Sequence, residues 1–207
     1  RGIMRVIGIT GGIGAGKSTV SDILASLGLD VINVDELGHQ VYLPSTSGWN
    51  EVVKEFGKEV LTEDGEINRS KLRAKVFNDS RALGTLNEIT HPKIRQLLSQ
   101  SILDRKNDGS RIIAFEAALL IEADWKELAD EIWVVTAPKS VIIDRVARRS
   151  PALDNQTIQS MIESQMSQSE REKFADIIIE NSGTVNELKK IVQMNYNHTL
   201  ENLFREK

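Results

Sequence analysis

No cysteine occurs anywhere in the 207 residues, so disulfides, thiolate catalysis and cysteine metal sites are excluded together. Aromatic residues make up only 5% of the chain, and no apolar run approaches the roughly 18 residues that span a bilayer. The longest run, Ile112 to Ile121, is broken by Glu116, and the N-terminus lacks the apolar core of a signal peptide. We therefore expect no membrane partner and a cytoplasmic location. Positive charge is not in excess either: 26 Lys and Arg against 30 Asp and Glu leave a formal net charge of -4, with no basic stripe for nucleic acid. Any recognition of phosphate must then be local. Met4 suits a natural start, which would make Arg1 to Ile3 an upstream extension or remnant.

What the chain does have is glycine concentrated in one place. Gly11 to Ser18 reads Gly-Gly-Ile-Gly-Ala-Gly-Lys-Ser and satisfies G-x-x-x-x-G-K-[ST]. Arg5 to Thr10 predicts a short buried strand before it, and Val20, Ile23, Leu24 and Leu27 recur at helical spacing behind it, up to Gly28. Strand, loop and helix come in the order of a phosphate loop. Glycines let successive N–H groups turn inward onto phosphate oxygens, and a helix opening at Lys17 adds the positive end of its dipole. Gly12, Ile13, Gly14, Ala15, Gly16, Lys17, Ser18 and Thr19 are the expected nucleotide-binding residues. Lys17 suits a bridge between the β- and γ-phosphates, and the Ser18 hydroxyl suits the accompanying Mg²⁺. The dinucleotide pattern G-x-G-x-x-G is absent, because Lys17 stands where its third glycine would fall, so a mononucleotide triphosphate is expected.

Further strands are predicted at 30–35, 111–115, 131–135 and 175–180, separated by helical patterns. Five strands alternating with helices predict an α/β fold of the P-loop kinase type: a doubly wound five-stranded parallel sheet with a helical insertion and a lid. We expect a single domain over 1–207, with a core of 1–57, 108–149 and 169–207, an acceptor-holding insertion at 58–107 and a lid at 150–168. A helix is predicted to start after His91-Pro92, and another at Ser150-Pro151. In the latter, Ile158, Met161, Ile162, Gln165 and Met166 share one face, so Gln165 is either a core amide or a site residue. Thr184 to Glu187 reads as a capping box for a C-terminal helix.

Asp35-Glu-Leu-Gly38 offers the D-x-x-G of a regulatory GTPase, but no N-K-x-D occurs to read guanine. A motor or DNA-directed ATPase lacks its basic surface here. A kinase for a small acceptor fits better, since each of its needs has a candidate. Asp35 can orient or deprotonate an acceptor hydroxyl, or it can merely cap a helix. Arg145 and Arg149, four apart on one helix, can spread positive charge over the transferring group. Glu116 either holds a metal-bound water or is simply exposed, and the turn at Asn181 and Gly183 either borders the adenine or is a plain turn.

Gly8 to Val20, Leu27-Gly28, Val31 to Asp35, His91-Pro92 with Ile94, Leu119-Leu120 with Glu122, Ser164-Gln165, and Ala175-Asp176 followed by Ile179 to Gly183 together resemble the dephospho-coenzyme A kinase family. The resemblance covers nearly the whole chain in order. It implies ATP and Mg²⁺ as cofactors and dephospho-CoA as the acceptor, phosphorylated on its ribose 3′-hydroxyl in the last step of CoA synthesis. We expect a monomer or weak homo-oligomer acting on small molecules. His91 is expected to contact the acceptor. The sequence departs from the family at four places: Asn33 replaces the first acid of Asp-x-Asp, Ala118 replaces a proline, Ile142 a glutamine and Met161 a lid arginine. A kinase for another small hydroxyl or nucleotide acceptor is the alternative.

Overall fold

The structure is a computed structural model and describes residues 4–77 and 79–205, so Arg1 to Ile3 lie outside the described residues. β1, Arg5–Gly11, is buried from Val6 onward, as a strand covered on both faces of a parallel sheet must be. After the loop comes α1, Lys17–Ser26, whose Val20, Ile23 and Leu24 are buried at helical spacing. β2, Asp30–Asn33, is shorter than the predicted 30–35 strand. Asn33 ends it by capping the next helix: its side-chain oxygen accepts from Asp35 N at 2.9 Å and Glu36 N at 3.4 Å, and α2, Val34–Val41, begins. Asp35 therefore sits in the first turn of a helix rather than on the strand.

The segment Asn33–Leu103 forms a unit with its own core. In it, α3, Ser47–Phe56, is capped by Thr46; α4 is Arg69–Val76. α5, Ser80–Asn107, starts within this unit and runs beyond it. Val52, Phe56, Val60, Ile67, Leu72, Val76 and Leu86 pack together at its centre. The helix predicted to start after Pro92 is instead the second half of α5, which runs through the proline. Pro92 deprives the Glu88 carbonyl of its donor, but Glu88 and Pro92 are both exposed, so water can take that bond. The buried stripe of Leu86, Thr90 and Leu98 continues on the other side and outweighs the local break.

The remainder of the chain forms the second unit. It carries β3, Ile112–Glu116; β4, Glu131–Thr136; α6, Lys139–Arg149; α7, Asn155–Glu163; α8, Gln168–Glu172; β5, Ile177–Glu180; and α9, Val185–Arg205. α7 starts four residues later than Pro151 suggests, because Asp154 caps it by accepting from Thr157 N at 2.7 Å. α7 also ends before Gln165, which is exposed beyond the helix, not part of a buried stripe. Thr184 and Glu187 do exchange hydrogen bonds ahead of α9, at 2.7 and 3.3 Å.

The sheet runs in the order β2-β3-β1-β4-β5, with β1 parallel to both β3 and β4, and β4 parallel to β5. Strand order reverses around β1 and β3, and in such sheets ligands bind at the carboxyl edge near the reversal. Beneath it, Ile7, Ile9, Trp133, Val135 and Ile179 of the sheet pack on Val20 and Leu24 of α1 and on Leu188, Val192 and Leu203 of α9. Each such fully buried side chain contributes about 1.5–3 kcal/mol of apolar burial. Glu131 is buried among them, and its carboxylate accepts from Trp133 Nε1 at 2.6 Å and Thr199 Oγ1 at 2.8 Å. A smaller core of Ala137, Ile142, Val146 and Ile158 ties α6 to α7, with Ile13 of the loop packed against it. Among the described residues no helix is long and apolar enough to cross a membrane.

Candidate active site

The loop leaves β1 at the sheet's carboxyl edge. Gly14 at φ 70° and Gly16 at φ 100° adopt left-handed backbone that other residues resist, which turns the N–H groups inward. Gly16 caps α1 with no side-chain cap, so the first N–H groups of that helix have no intrahelical partner and are suited to an anion. Lys17 Nζ reaches back to donate to Gly11 O at 3.0 Å and Gly12 O at 3.5 Å. Ser18 Oγ donates to Glu116 Oε1 at 3.1 Å, which brings the end of β3 to the loop.

One side of the loop is lined by Gly14, Gly16, Lys17, Ser18 and Thr19 together with Arg145 and Arg149. The Arg145 guanidinium lies 3.5 Å from Gly14 O and 3.4 Å from Ala15 O, and donates to Asn181 Oδ1 at 3.1 Å. Asn181 is buried after β5, and its Nδ2 donates to Ala15 O at 2.8 Å. A methyl group added to Gly16 would run into that same Nδ2, so the asparagine fills the space under the turn. Both ends of the Asn181 amide are thus engaged by protein, while Gly183 is exposed two residues on.

The other side is lined by Gly12, Ile13, Gln165 and Arg171. Gln165 Oε1 accepts from Ile13 N at 2.8 Å. Arg171 is 3% exposed, and its Nη2 donates to Glu122 Oε1 at 3.0 Å. A buried guanidinium needs such a partner, since an uncompensated charge there costs several kcal/mol.

The structure gathers Gly12 to Thr19, Arg145, Arg149 and Asn181 around one loop. Asp35 is exposed in the first turn of α2, and His91 is half-buried in α5, where burial pushes the imidazole pKa below its usual value. Both belong to the Asn33–Leu103 unit. Sequence reasoning does not decide between the two roles of Glu116, and it places Gln165 on an apolar helix face. The signals for Gln165 are an amide among apolar neighbours and the Ser164-Gln165 pair in the family resemblance.

Among the described residues no cluster of three His, Cys, Asp or Glu side chains could hold a metal on its own. The donor set at Ser18 and Glu116, a hydroxyl and a carboxylate, nevertheless consists of the hard oxygens that Mg²⁺ prefers, and Mg²⁺ typically draws its other ligands from phosphate and water.

A family model described as dephospho-CoA kinase matches residues 5–187. A dephospho-CoA kinase of Dehalococcoides mccartyi is 40% identical over 198 residues, covering 96% of this chain and 99% of that protein. Among solved structures, a Thermus thermophilus protein superposes with a TM-score of 0.80 at 28% identity over 95% of this chain and 98% of its own. A dephospho-CoA kinase from Campylobacter jejuni shares the fold with a TM-score of 0.73 at 24% identity, covering 95% and 98%.

Proposed function

The chain belongs to the dephospho-CoA kinase family, and from that premise we propose how its residues divide the work of phosphoryl transfer. The enzyme transfers the γ-phosphoryl group of ATP to the ribose 3′-hydroxyl of dephospho-CoA, giving CoA and ADP. A bond forms between the 3′-oxygen and the γ-phosphorus, the bond to the β–γ bridging oxygen breaks, and the hydroxyl proton must leave.

In our reading the loop residues Gly12 to Thr19 hold the phosphates, with the Ile13 N–H kept by Gln165 Oε1, and Lys17 moves off the Gly11 and Gly12 carbonyls to bridge β and γ. Arg145 and Arg149, beside the same loop, take up negative charge that develops during transfer. Asp35 accepts the 3′-hydroxyl proton or holds that hydroxyl in line, and His91 contacts the acceptor. Mg²⁺, held by Ser18 with Glu116 behind it, would neutralise phosphate charge. Asn181 and Gly183 border the adenine, Asn181 by bracing the loop beneath it and Gly183 through its backbone. Residues 58–107 hold the acceptor and 150–168 act as the lid. We take the enzyme to be cytoplasmic, and a monomer or weak homo-oligomer.

The observation that carries this reading is the convergence of Lys17, Arg145 and the Ser18–Glu116 pair on one glycine loop at the sheet's carboxyl edge. One acceptor panel with Mg·ATP tests it: dephospho-CoA, shikimate, gluconate and nucleoside monophosphates. Turnover of dephospho-CoA alone is expected, and preferential turnover of any other acceptor would overturn the assignment.

A further inference from the structure

The Gly11–Ile13 stretch of the loop is approached from two directions by polar side chains. Lys17 Nζ reaches it from α1, 3.0 Å from Gly11 O. Gln165 and Arg171 reach it from the segment between α7 and β5: their Oε1 and Nη1 lie 3.4 and 3.5 Å from the point a side chain on Gly12 would occupy. Arg171 is almost wholly buried, with Nη2 anchored on Glu122, yet its Nε has no hydrogen-bond partner among the described residues. A polar atom enclosed without a partner costs about 1–3 kcal/mol, which is tolerable where a ligand completes the site.

Gln165 differs from a structural strut in two ways. It is exposed although it bonds the loop, and only one end of its amide is used: Oε1 accepts from Ile13 N, whereas Nε2 donates to no acceptor among the described residues. An amide held by its oxygen presents its NH₂ nearby as a neutral, oriented donor. Lys17 lies over the same backbone and serves the β–γ junction, while Gly14, Gly16, Arg145 and Arg149 line the other side. In the kinase reading the transferring γ-phosphoryl group then lies between the two linings, with Gly12, Ile13 and Gln165 on one side of it and Arg145 and Arg149 on the other.

We infer that Gln165 is a catalytic residue for this reaction: Oε1 stays anchored on the Ile13 N–H while Nε2 donates to an oxygen of the transferring γ-phosphoryl group, beside the Glu122-anchored Arg171. This rests on the kinase reading above. It makes the region after α7 a sensor that distinguishes ATP from ADP, because only the triphosphate reaches the amide.

Gln165→Glu separates this role from loop support. The carboxylate keeps an acceptor for Ile13 N–H and nearly the same shape, but it replaces the donor with a negative charge facing the γ-phosphate. Calorimetric titration should show MgADP affinity within about 3-fold of wild type and MgATP affinity weakened about 10-fold or more. kcat should fall on the order of 10²-fold, the scale of losing one donor to a charged transition state. Gln165→Ala should lower kcat similarly with a smaller loss of MgATP affinity, and both variants should melt as wild type does. A Gln165→Glu enzyme that keeps the wild-type ratio of ATP to ADP affinity and its kcat would overturn the inference. So would a Gln165→Ala enzyme that loses ADP and ATP affinity equally, which is the behaviour of a loop strut. Wild-type turnover of dephospho-CoA, measured alongside, tests the underlying kinase assignment separately.

Discussion

Replacing Asn181 by alanine tests whether the loop is held in shape from below. The side chain is 6% exposed and makes two bonds that alanine cannot: Nδ2 to Ala15 O at 2.8 Å, and Oδ1 from Arg145 Nη2 at 3.1 Å. A neutral hydrogen bond contributes about 0.5–1.5 kcal/mol and one to a charged group about 1.5–3, so Asn181→Ala should destabilise by about 2–4.5 kcal/mol. For a chain of this size each kcal/mol moves Tm by about 2–4 °C, which gives a fall of roughly 4–18 °C by thermal melting. The loss is not only one of stability. Arg145 would retain only its longer approaches to the loop carbonyls, and the space under Gly16 would open, so KM for ATP should rise on the order of 10-fold. Asn181→Asp sharpens the test: it keeps an acceptor for Arg145 but turns an oxygen toward the Ala15 carbonyl, so it should also loosen the loop. An Asn181→Ala enzyme that melts within about 1 °C of wild type, with unchanged KM for ATP, would refute the reasoning.

Lys17→Ala should nearly abolish turnover while changing Tm by only a few degrees, since the ammonium donates to the loop carbonyls of Gly11 and Gly12 and its loss leaves the buried core intact; normal turnover would remove the loop from the mechanism. Asp35→Asn should lower kcat by about 10²- to 10⁴-fold with little change in acceptor KM, the range of a positioned base; a near-normal kcat with strongly shifted Mg²⁺ dependence would make Asp35 a metal-shell residue. Glu116→Gln should raise the Mg²⁺ concentration needed for half-maximal rate, because the carboxylate beside Ser18 is lost; titration of rate against Mg²⁺ checks this, and an unchanged curve counts against the placement. His91 binds a proton less readily in the folded enzyme than unfolded, so it contributes stability that is present above about pH 6.5 and lost as pH falls below it. Melting between about pH 7.5 and 5.5 should therefore fall less steeply for His91→Asn than for wild type, and equal slopes would contradict that.

The parts of this protein that were legible in its sequence are those whose physical cause is local. The phosphate loop could be read because its requirements, glycines at Gly14 and Gly16 that turn N–H groups inward and a lysine and serine opening the helix, all fall within eight consecutive residues. The five strands and the capping box before α9 were legible for the same reason, since a buried run or a Thr-to-Glu exchange needs no distant partner. Where a local signal met tertiary packing, packing won: Pro92 reads as a helix start, yet burial of Leu86 and Leu98 on one continuous stripe carries α5 through it. The Asn33 side chain likewise decided between strand and helix by capping two N–H groups, which set Asp35 in a helix turn.

The surroundings of the loop were decided by the fold alone. Glu116 meets Ser18 across 98 positions of sequence, Gln165 meets Ile13 across 152, and Asn181 meets Ala15 across 166. No spacing rule spans such separations. They close because a parallel sheet with the order β2-β3-β1-β4-β5 brings the carboxyl ends of β1, β3 and β5 to one edge, and the segment from α7 to α8 returns beside the loop. The sequence supplied the side chains; the crossing of strands determined which of them meet the phosphate loop.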